Sequence, residues 1–306
     1  MLWHIQGPGS LGCLWAARFA ATQQSVRLIL RNPEALARYQ LNGTVRISDA
    51  LMQHTHAYPI SAQLPDDAEP IKNLLLACKA YDAEAAIKQV AHRLNRDSLV
   101  VLLQNGLGSQ QAIQTLLPNT QCIAASTTEG AYLAEPFHTV FAGQGDIWLG
   151  SLDHRPEPAA LLDHCRSTQI PCTWTADISE KLWRKLAINC AINPLTVIHD
   201  CNNGTLLQHA TLINILCDEL QRLLNAAQQA NAAQHLHQQV WQVIEKTAAN
   251  SSSMRQDAHH QRRTEISYMT GFACTQSIAL ACQTPTLHAL HTQLQNTLIM
   301  LGLPLS

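Results

Sequence analysis

The chain has 306 residues, of which 46% are hydrophobic and only 14% charged, with a formal net charge of -2. That balance excludes a disordered polymer, and the absence of any block of like charge gives no electrostatic footprint for nucleic acid or an anionic membrane. At ~100–200 residues per domain the length implies two domains with a cleft, and partners that are small molecules.

The opening residues 1–5 carry neither a basic stretch nor a long apolar one, so no signal peptide is expected. No later run approaches the roughly 20 apolar residues of a membrane-spanning helix. Residues 2–5 read as a short strand, and Gly7, Pro8, Gly9, Ser10, Leu11 and Gly12 then form a glycine turn that opens a helix over 11–21. Residues 26–30 read as a second strand. Asn42-Gly43 marks a tight turn into an extended segment at 44–47. Apolar runs at 74–77 and 99–103 flank a helical stretch at 83–94, an alternation that predicts a mostly parallel sheet. Residues 123–150 are β-prone, with strands expected at 139–141 and 146–149.

Pro156, Pro158 and Pro171 crowd the region that follows, and beyond Asp177 the composition changes. Leu, Ala and Gln dominate there, and a 3.6-residue period is visible in Leu212, Leu216, Leu220, Leu223 and Leu224. The Gln/Asn/Ala-rich stretch 225–239 reads as a polar helix face. The predicted fold class is therefore α/β. A Rossmann-type doubly wound sheet is expected over 1–176 and an all-α C-terminal domain over 177–306.

Ten cysteines are scattered without a CxxC pair, with apolar neighbours at Cys78, Cys190 and Cys217. They read as reduced core residues of a cytoplasmic protein. The fifteen histidines contain no HExxH and no zinc-type spacing with cysteine, so no metal site is expected.

The glycine turn has a strand before it and a helix after it, the context that a dinucleotide site requires. Gly7 permits the tight turn, Gly9 lets a pyrophosphate approach the backbone, and Gly12 permits close helix packing. At the end of the second strand an acid would accept from the ribose 2′-OH of NAD. This chain has Arg31 there, followed by Asn32, and a guanidinium matches a 2′-phosphate instead. The cofactor expected is NADP.

In the second domain the segment 181–197 reads KLWRKLAINCAINPLTV. Lys185, Asn189 and Asn193 fall at i, i+4 and i+8, within about 80° of one another on a helix that is otherwise apolar. Burying a lysine and two amides unpaired would cost several kcal/mol, so the stripe needs partners. Two readings fit the spacing equally. One is an interdomain polar network with Lys185 paired to a carboxylate, and the other is a cleft in which Lys185 protonates a carbonyl oxygen as hydride reaches its carbon. Pro194 is expected to kink or end the helix beside Asn193. A second polar cluster runs Asn250, Ser251, Ser252, Ser253, then Asp257 and Glu265. Ser253 with Gln256 has the form of a capping box, and Glu265, eight residues after Asp257 on the same helical face, reads as a solvated acid.

Taken in order, GPGSLG at 7–12, CKAYD around Lys79, LLQNGLG around Asn105, TTEGA ending at Ala131, KLWRKLAINCAINPLT around Lys185, NNG around Asn203, and NSSSMRQD through TEISYMTGF resemble the ketopantoate reductases of pantothenate and coenzyme A biosynthesis. The resemblance covers essentially the whole chain. It implies that the glycine turn, Arg31, Lys79, Asn105, Ala131 and Glu265 hold NADPH, and that Lys185 is the general acid. It further implies that Asn105, Asn189, Asn193, Asn203 and Ser253 bind the substrate. Glu129 and His199-Asp200 depart from the family pattern and are expected at the pocket rim. A reductase of another branched 2-keto acid and a non-catalytic NADP-binding sensor are the alternatives, and both a monomer and a homodimer remain open.

Overall fold

The computed structural model describes residues 2–168 and 170–305. Met1 and Ser306, the outer bounds of the two predicted domains, lie outside the described residues. The chain divides into two compact units. One comprises the chain up to Gln104 together with Ser109–Ile178, and the other comprises Asn105–Gly108 and everything from Ser179 onward.

Among the described residues twelve strands lie in the first unit: β1 (Trp3–Gln6), β2 (Val26–Ile29), β3 (Thr44–Ser48), β4 (Thr55–Pro59), β5 (Ser61–Gln63), β6 (Asn73–Leu76), β7 (Leu99–Leu102), β8 (Gln121–Thr127), β9 (Gly130–Glu135), β10 (His138–Gly143), β11 (Ile147–Ser151) and β12 (Cys172–Trp174). Eight of them form one sheet in the order β12-β11-β8-β7-β6-β1-β2-β5. From β5 through β8 every pair is parallel, and only β11 runs antiparallel to its neighbour β8. The helices of this unit are α1 (Ser10–Ala21), α2 (Pro33–Gln40), α3 (Ala80–Val90), α4 (Ser109–Leu116) and α5 (Ala159–Ser167). This is the predicted Rossmann-type α/β fold.

Burial on both faces explains the strand sequences. On β6, Leu75 joins the core built around Trp3, Trp15 and Phe19, whereas Leu74 and Leu76 join the core of Ile87, Val90 and Ile113. A strand covered twice has no polar face, so its sequence reads as an unbroken apolar run. Trp3 stacks on Phe19 with ring centroids 5.2 Å apart and Phe19 meets Trp15 edge-on at 6.0 Å, which fastens α1 to β1.

The sequence reading did not anticipate the second sheet, ordered β4-β3-β10-β9. It places the Asn42-Gly43 turn between α2 and β3, and β10 pairs parallel with β3 and antiparallel with β9.

The second unit carries α6 (Ile178–Ile198, entering from the last residue of the first unit), α7 (Ala210–Ala226), α8 (Ala230–Ala233), α9 (Leu236–Lys246), α10 (Ser253–His259), α11 (Thr270–Ala279) and α12 (Pro285–Met300). Stretch 225–239 is not the single polar helix face expected. It contains the end of α7, all of α8 and the start of α9. Pro194 does not end α6, which runs four residues further to Ile198. Among the described residues no helix is long and apolar enough to cross a membrane.

One buried acid fixes this unit. Glu219 on α7 is 2% exposed, and its two carboxylate oxygens accept from Thr286 N (2.9 Å) and Leu287 N (2.8 Å) at the start of α12. Thr284, the N-cap residue, gives no side-chain cap of its own, so Glu219 supplies it from another helix. Glu219→Ala is expected to lower stability by about 3 kcal/mol through two lost charge-assisted bonds, read as a fall in the urea midpoint.

Candidate active site

In the first unit each glycine of the turn answers a different constraint. Gly7 has φ +83°, and a Cβ there would lie 2.4 Å from Cys78 N. A Cβ at Gly12 would lie 2.5 Å from Gly7 O and 3.2 Å from Ala77 Cβ, so α1 is drawn against the turn and against the end of β6. At Gly9 a Cβ would meet nothing of the protein within 4 Å. Gly9 is the N-cap of α1 with no side-chain cap, so no side chain covers the first-turn N–H groups from that position.

The other candidate cofactor residues of the unit lie on separate elements. Lys79 is the N-cap residue of α3, directly after the Ala77-Cys78 pair that abuts the turn. Arg31 is exposed just beyond β2, the parallel neighbour of β1, and Asn32 caps α2 by accepting from Ala35 N at 2.8 Å. Ala131 lies on β9 opposite Phe141 of β10.

Glu129 is not at a rim. Its side chain is fully buried and takes both Nη atoms of Arg18 on α1, at 3.0 and 2.6 Å. Arg18 in turn lies 5.3 Å over the Phe141 ring. The pair therefore ties α1 to the residue two places before Ala131.

In the second unit, segment Asn105–Gly108 is held by Tyr268. Leu107 N donates to Tyr268 O at 2.9 Å, and a Cβ at Gly106 (φ +76°) would lie 2.1 Å from that same oxygen. Only glycine fits there, which is the physical content of the NGLG run. Asn105 is thereby fixed with its side-chain oxygen 2.9 Å from Lys185 Nζ and its amide nitrogen donating to Glu265 Oε2 at 3.4 Å. Lys185 is half-buried. Loss of solvent lowers its pKa to about 8, with the Glu265 carboxylate opposing the shift. Glu265 is 2% exposed and lies after α10 has ended, so it is neither solvated nor on a shared helix face with Asp257.

The remaining candidates occupy the same unit. Asn193 is 5% exposed and donates to the Met269 sulfur at 3.7 Å, and Asn189, one turn earlier on α6, is half-buried. The Asn193 carbonyl accepts from Thr196 Oγ1 at 2.7 Å, and that hydroxyl lies 2.6 Å from Ser252 Oγ. Ser252, not Ser253, caps α10, accepting from Arg255 N at 3.1 Å. Ser253 becomes the exposed first residue of the helix, since three serines in a row left the register of the cap open in the sequence. Asn203 is 7% exposed and donates to Thr247 Oγ1 at 2.7 Å, while its side-chain oxygen is buried without a partner among the described residues. Arg255 escaped the sequence reading altogether. Two of its acceptors, Asp200 and Asn202, lie more than fifty residues away, beyond the reach of any local pattern.

Among the described residues no group of three or more His, Cys, Asp or Glu could hold a metal ion. The arrangement in the second unit is an ammonium poised near neutrality, an amide holding it, and a buried carboxylate behind the amide. Such a set can donate a proton to a developing oxyanion.

Two family models match the chain. Ketopantoate reductase PanE/ApbA matches residues 3–154, and ketopantoate reductase PanE/ApbA C terminal matches residues 177–297. The chain belongs to the ketopantoate reductase family. Among its relatives in that family, the 2-dehydropantoate 2-reductase of Vibrio cholerae is 33% identical over 95% of this chain and 96% of its own length. The one from Escherichia coli O157:H7 is 30% identical over 88% and 86%. Membership makes this chain an oxidoreductase. The PanE/ApbA family ketopantoate reductase from Ralstonia eutropha JMP134 shares the fold at a TM-score of 0.87, with 23% identity over 99% of this chain and 100% of that one. D-mandelate dehydrogenase with NADH and anilino(oxo)acetate shares it at 0.91, with 20% identity over 99% and 100%.

Proposed function

We propose that this family member reduces 2-dehydropantoate to (R)-pantoate with NADPH, a step of pantothenate and coenzyme A biosynthesis. The observation that carries this reading is Lys185, with its pKa lowered to about 8 and its Nζ held 2.9 Å from Asn105 Oδ1. A lysine used only for structure gains nothing from being destabilised as a cation, whereas a general acid does.

In this reading residues 1–176 bind the cofactor and residues 177–306 carry the substrate and catalytic groups. The glycine turn takes the pyrophosphate on the α1 N-terminus. Gly9 supports this, because nothing within the protein requires a glycine there, and close approach of a ligand to the backbone is the physical reason left. Arg31 takes the 2′-phosphate, and Lys79, Asn105, Ala131 and Glu265 complete the cofactor contacts. When bound, the nicotinamide supplies hydride. Lys185 protonates the keto oxygen as charge builds on it, Asn105 aims the ammonium, and Asn105, Asn189, Asn193, Asn203 and Ser253 hold the carboxylate, keto and hydroxyl groups. Ten free cysteines suit a reducing, cytoplasmic setting, and the working state is a monomer or homodimer.

The test is NADPH oxidation on addition of 2-dehydropantoate. A higher kcat/KM on 2-ketoisocaproate would instead assign a different branched 2-keto acid, the reading that Met269 beside Asn193 keeps open. Absence of turnover on either, with NADPH bound, would leave the sensor. Arg31→Ala is expected to cut the preference for NADPH over NADH about tenfold or more in kcat/KM, because a charge-assisted contact to the 2′-phosphate is lost.

A further inference from the structure

Arg255 on α10 is built into the protein more deeply than a surface arginine, with a side chain only 16% exposed. Its Nε donates to Asp200 Oδ1 at 2.8 Å, and Nη2 donates to the Asp200 carbonyl at 3.3 Å. Its Nη1 donates to Asn202 Oδ1 at 2.7 Å and to Ser251 Oγ at 3.3 Å. His259, one turn further along α10, brings Nε2 to 2.6 Å from the same Asp200 Oδ1. An isolated surface ion pair is worth little, but a fork that engages two side chains and a carbonyl of one loop is a geometric clamp.

The loop it grips is strained and leads into a proposed substrate ligand. Asp200 has φ +44°, a left-handed conformation that costs a non-glycine residue free energy unless its surroundings enforce it. Immediately after it, Asn203 N donates to Asn250 O at 3.1 Å and Gly204 N donates to Ala248 O at 3.0 Å. A Cβ at Gly204 would lie 2.8 Å from Ala248 Cβ, so the two segments are in close contact. The loop that carries Asn203 is thus laid along the segment that ends in Ser253, and Arg255 fastens the two from the α10 side.

We propose that Arg255 is a positioning residue that sets the spacing of Asn203 and Ser253 for the carboxylate and hydroxyl groups of the substrate. The assignment of those two ligands rests on the function proposed above. Arg255 acts through them: four of its donor contacts are already made to the loop and the α10 N-terminus. Oriented groups lose much of their effect when misplaced by an ångström, so the clamp should be read in substrate affinity.

The experiment compares the full-length wild type with Arg255→Leu, Arg255→Lys and Asp200→Asn. Three quantities are read for each: KM for 2-dehydropantoate with kcat, the Kd for NADPH, and hydrogen exchange at the Asn203 and Gly204 amides. Arg255→Leu should raise KM about tenfold, with kcat and the NADPH Kd within about threefold of wild type, and should speed exchange at both amides. Arg255→Lys keeps the charge but not the fork and should raise KM similarly, and Asp200→Asn, which keeps one acceptor, should raise it less. Unchanged exchange at Asn203 and Gly204 in Arg255→Leu would overturn the clamp, as would an NADPH Kd that rises in step with KM. A wild type that ignores 2-dehydropantoate overturns the proposed reaction instead, and the exchange data still decide whether Arg255 holds the loop.

Discussion

Lys185→Ala is expected to lower kcat for 2-dehydropantoate reduction by about 10²–10⁴-fold while NADPH still binds with near-normal affinity. The variant keeps the glycine turn and Arg31, and loses the group proposed to donate a proton to the keto oxygen. In the wild type the acid must carry its proton, so kcat/KM for reduction should fall as pH rises through about 8, the value to which burial lowers this group. A pH profile that stayed level across that range would remove Lys185 as the acid. Stability moves the other way. A lysine whose folded pKa lies below its unfolded one costs stability wherever the unfolded chain binds the proton more tightly, and that cost fades as pH rises from about 8 toward the ordinary lysine range. Lys185→Met, expected to lose activity as the alanine variant does, should therefore melt no lower than the parent at neutral pH.

Arg18→Met is expected to destabilise the first unit by about 3–5 kcal/mol, because it leaves the fully buried Glu129 carboxylate without the two N–H donors that now meet it. The measurement is chemical denaturation followed by the fluorescence of Trp3 and Trp15, both buried in that unit. The double variant Arg18→Met, Glu129→Leu removes both charges and should recover most of the loss, since two apolar groups replace a pair that had to be desolvated together. If the single variant unfolded at the parent's midpoint, the pair would be a spectator. NADPH affinity in the double variant, compared at a temperature where it is fully folded, then reads whether the tie between α1 and the strand carrying Ala131 matters for binding.

The sequence showed the opening of the fold because its signal there is local. A short apolar strand, a glycine turn and a helix of small and apolar residues follow one another within some twenty residues, and β1, the turn and α1 lie within about a residue of where those runs place them. The lysine–asparagine stripe was legible for the same reason, as a helical spacing that burial had to explain. What stayed hidden depends on partners distant in the chain. Strand β4, THAYP, is exposed at four of five positions because it lies at the edge of the smaller sheet, so it has no apolar face to betray it. Glu265 looked solvated because its partner Asn105 lies 160 residues earlier. The cap of α10 fell one residue early because Ser252 also reaches Thr196 on α6, a contact that Ser253 does not share. Pro194 failed to end α6 because tertiary packing around an apolar helix outweighs one missing donor.

Segment Asn105–Gly108 belongs to the helical unit although the chain on both sides of it belongs to the other. A fragment starting at Ser179 would carry Lys185 and Glu265 but not the amide that joins them, and one ending at Ile178 would carry Gly106 without the Tyr268 carbonyl against which it is shaped. Recombination between relatives at the residue 177 boundary would therefore pair an Asn105 loop from one parent with a Tyr268 seat from another. Chimeras cut there should bind NADPH better than they turn over, and functional exchange should require that residues 105–108 travel with the C-terminal half.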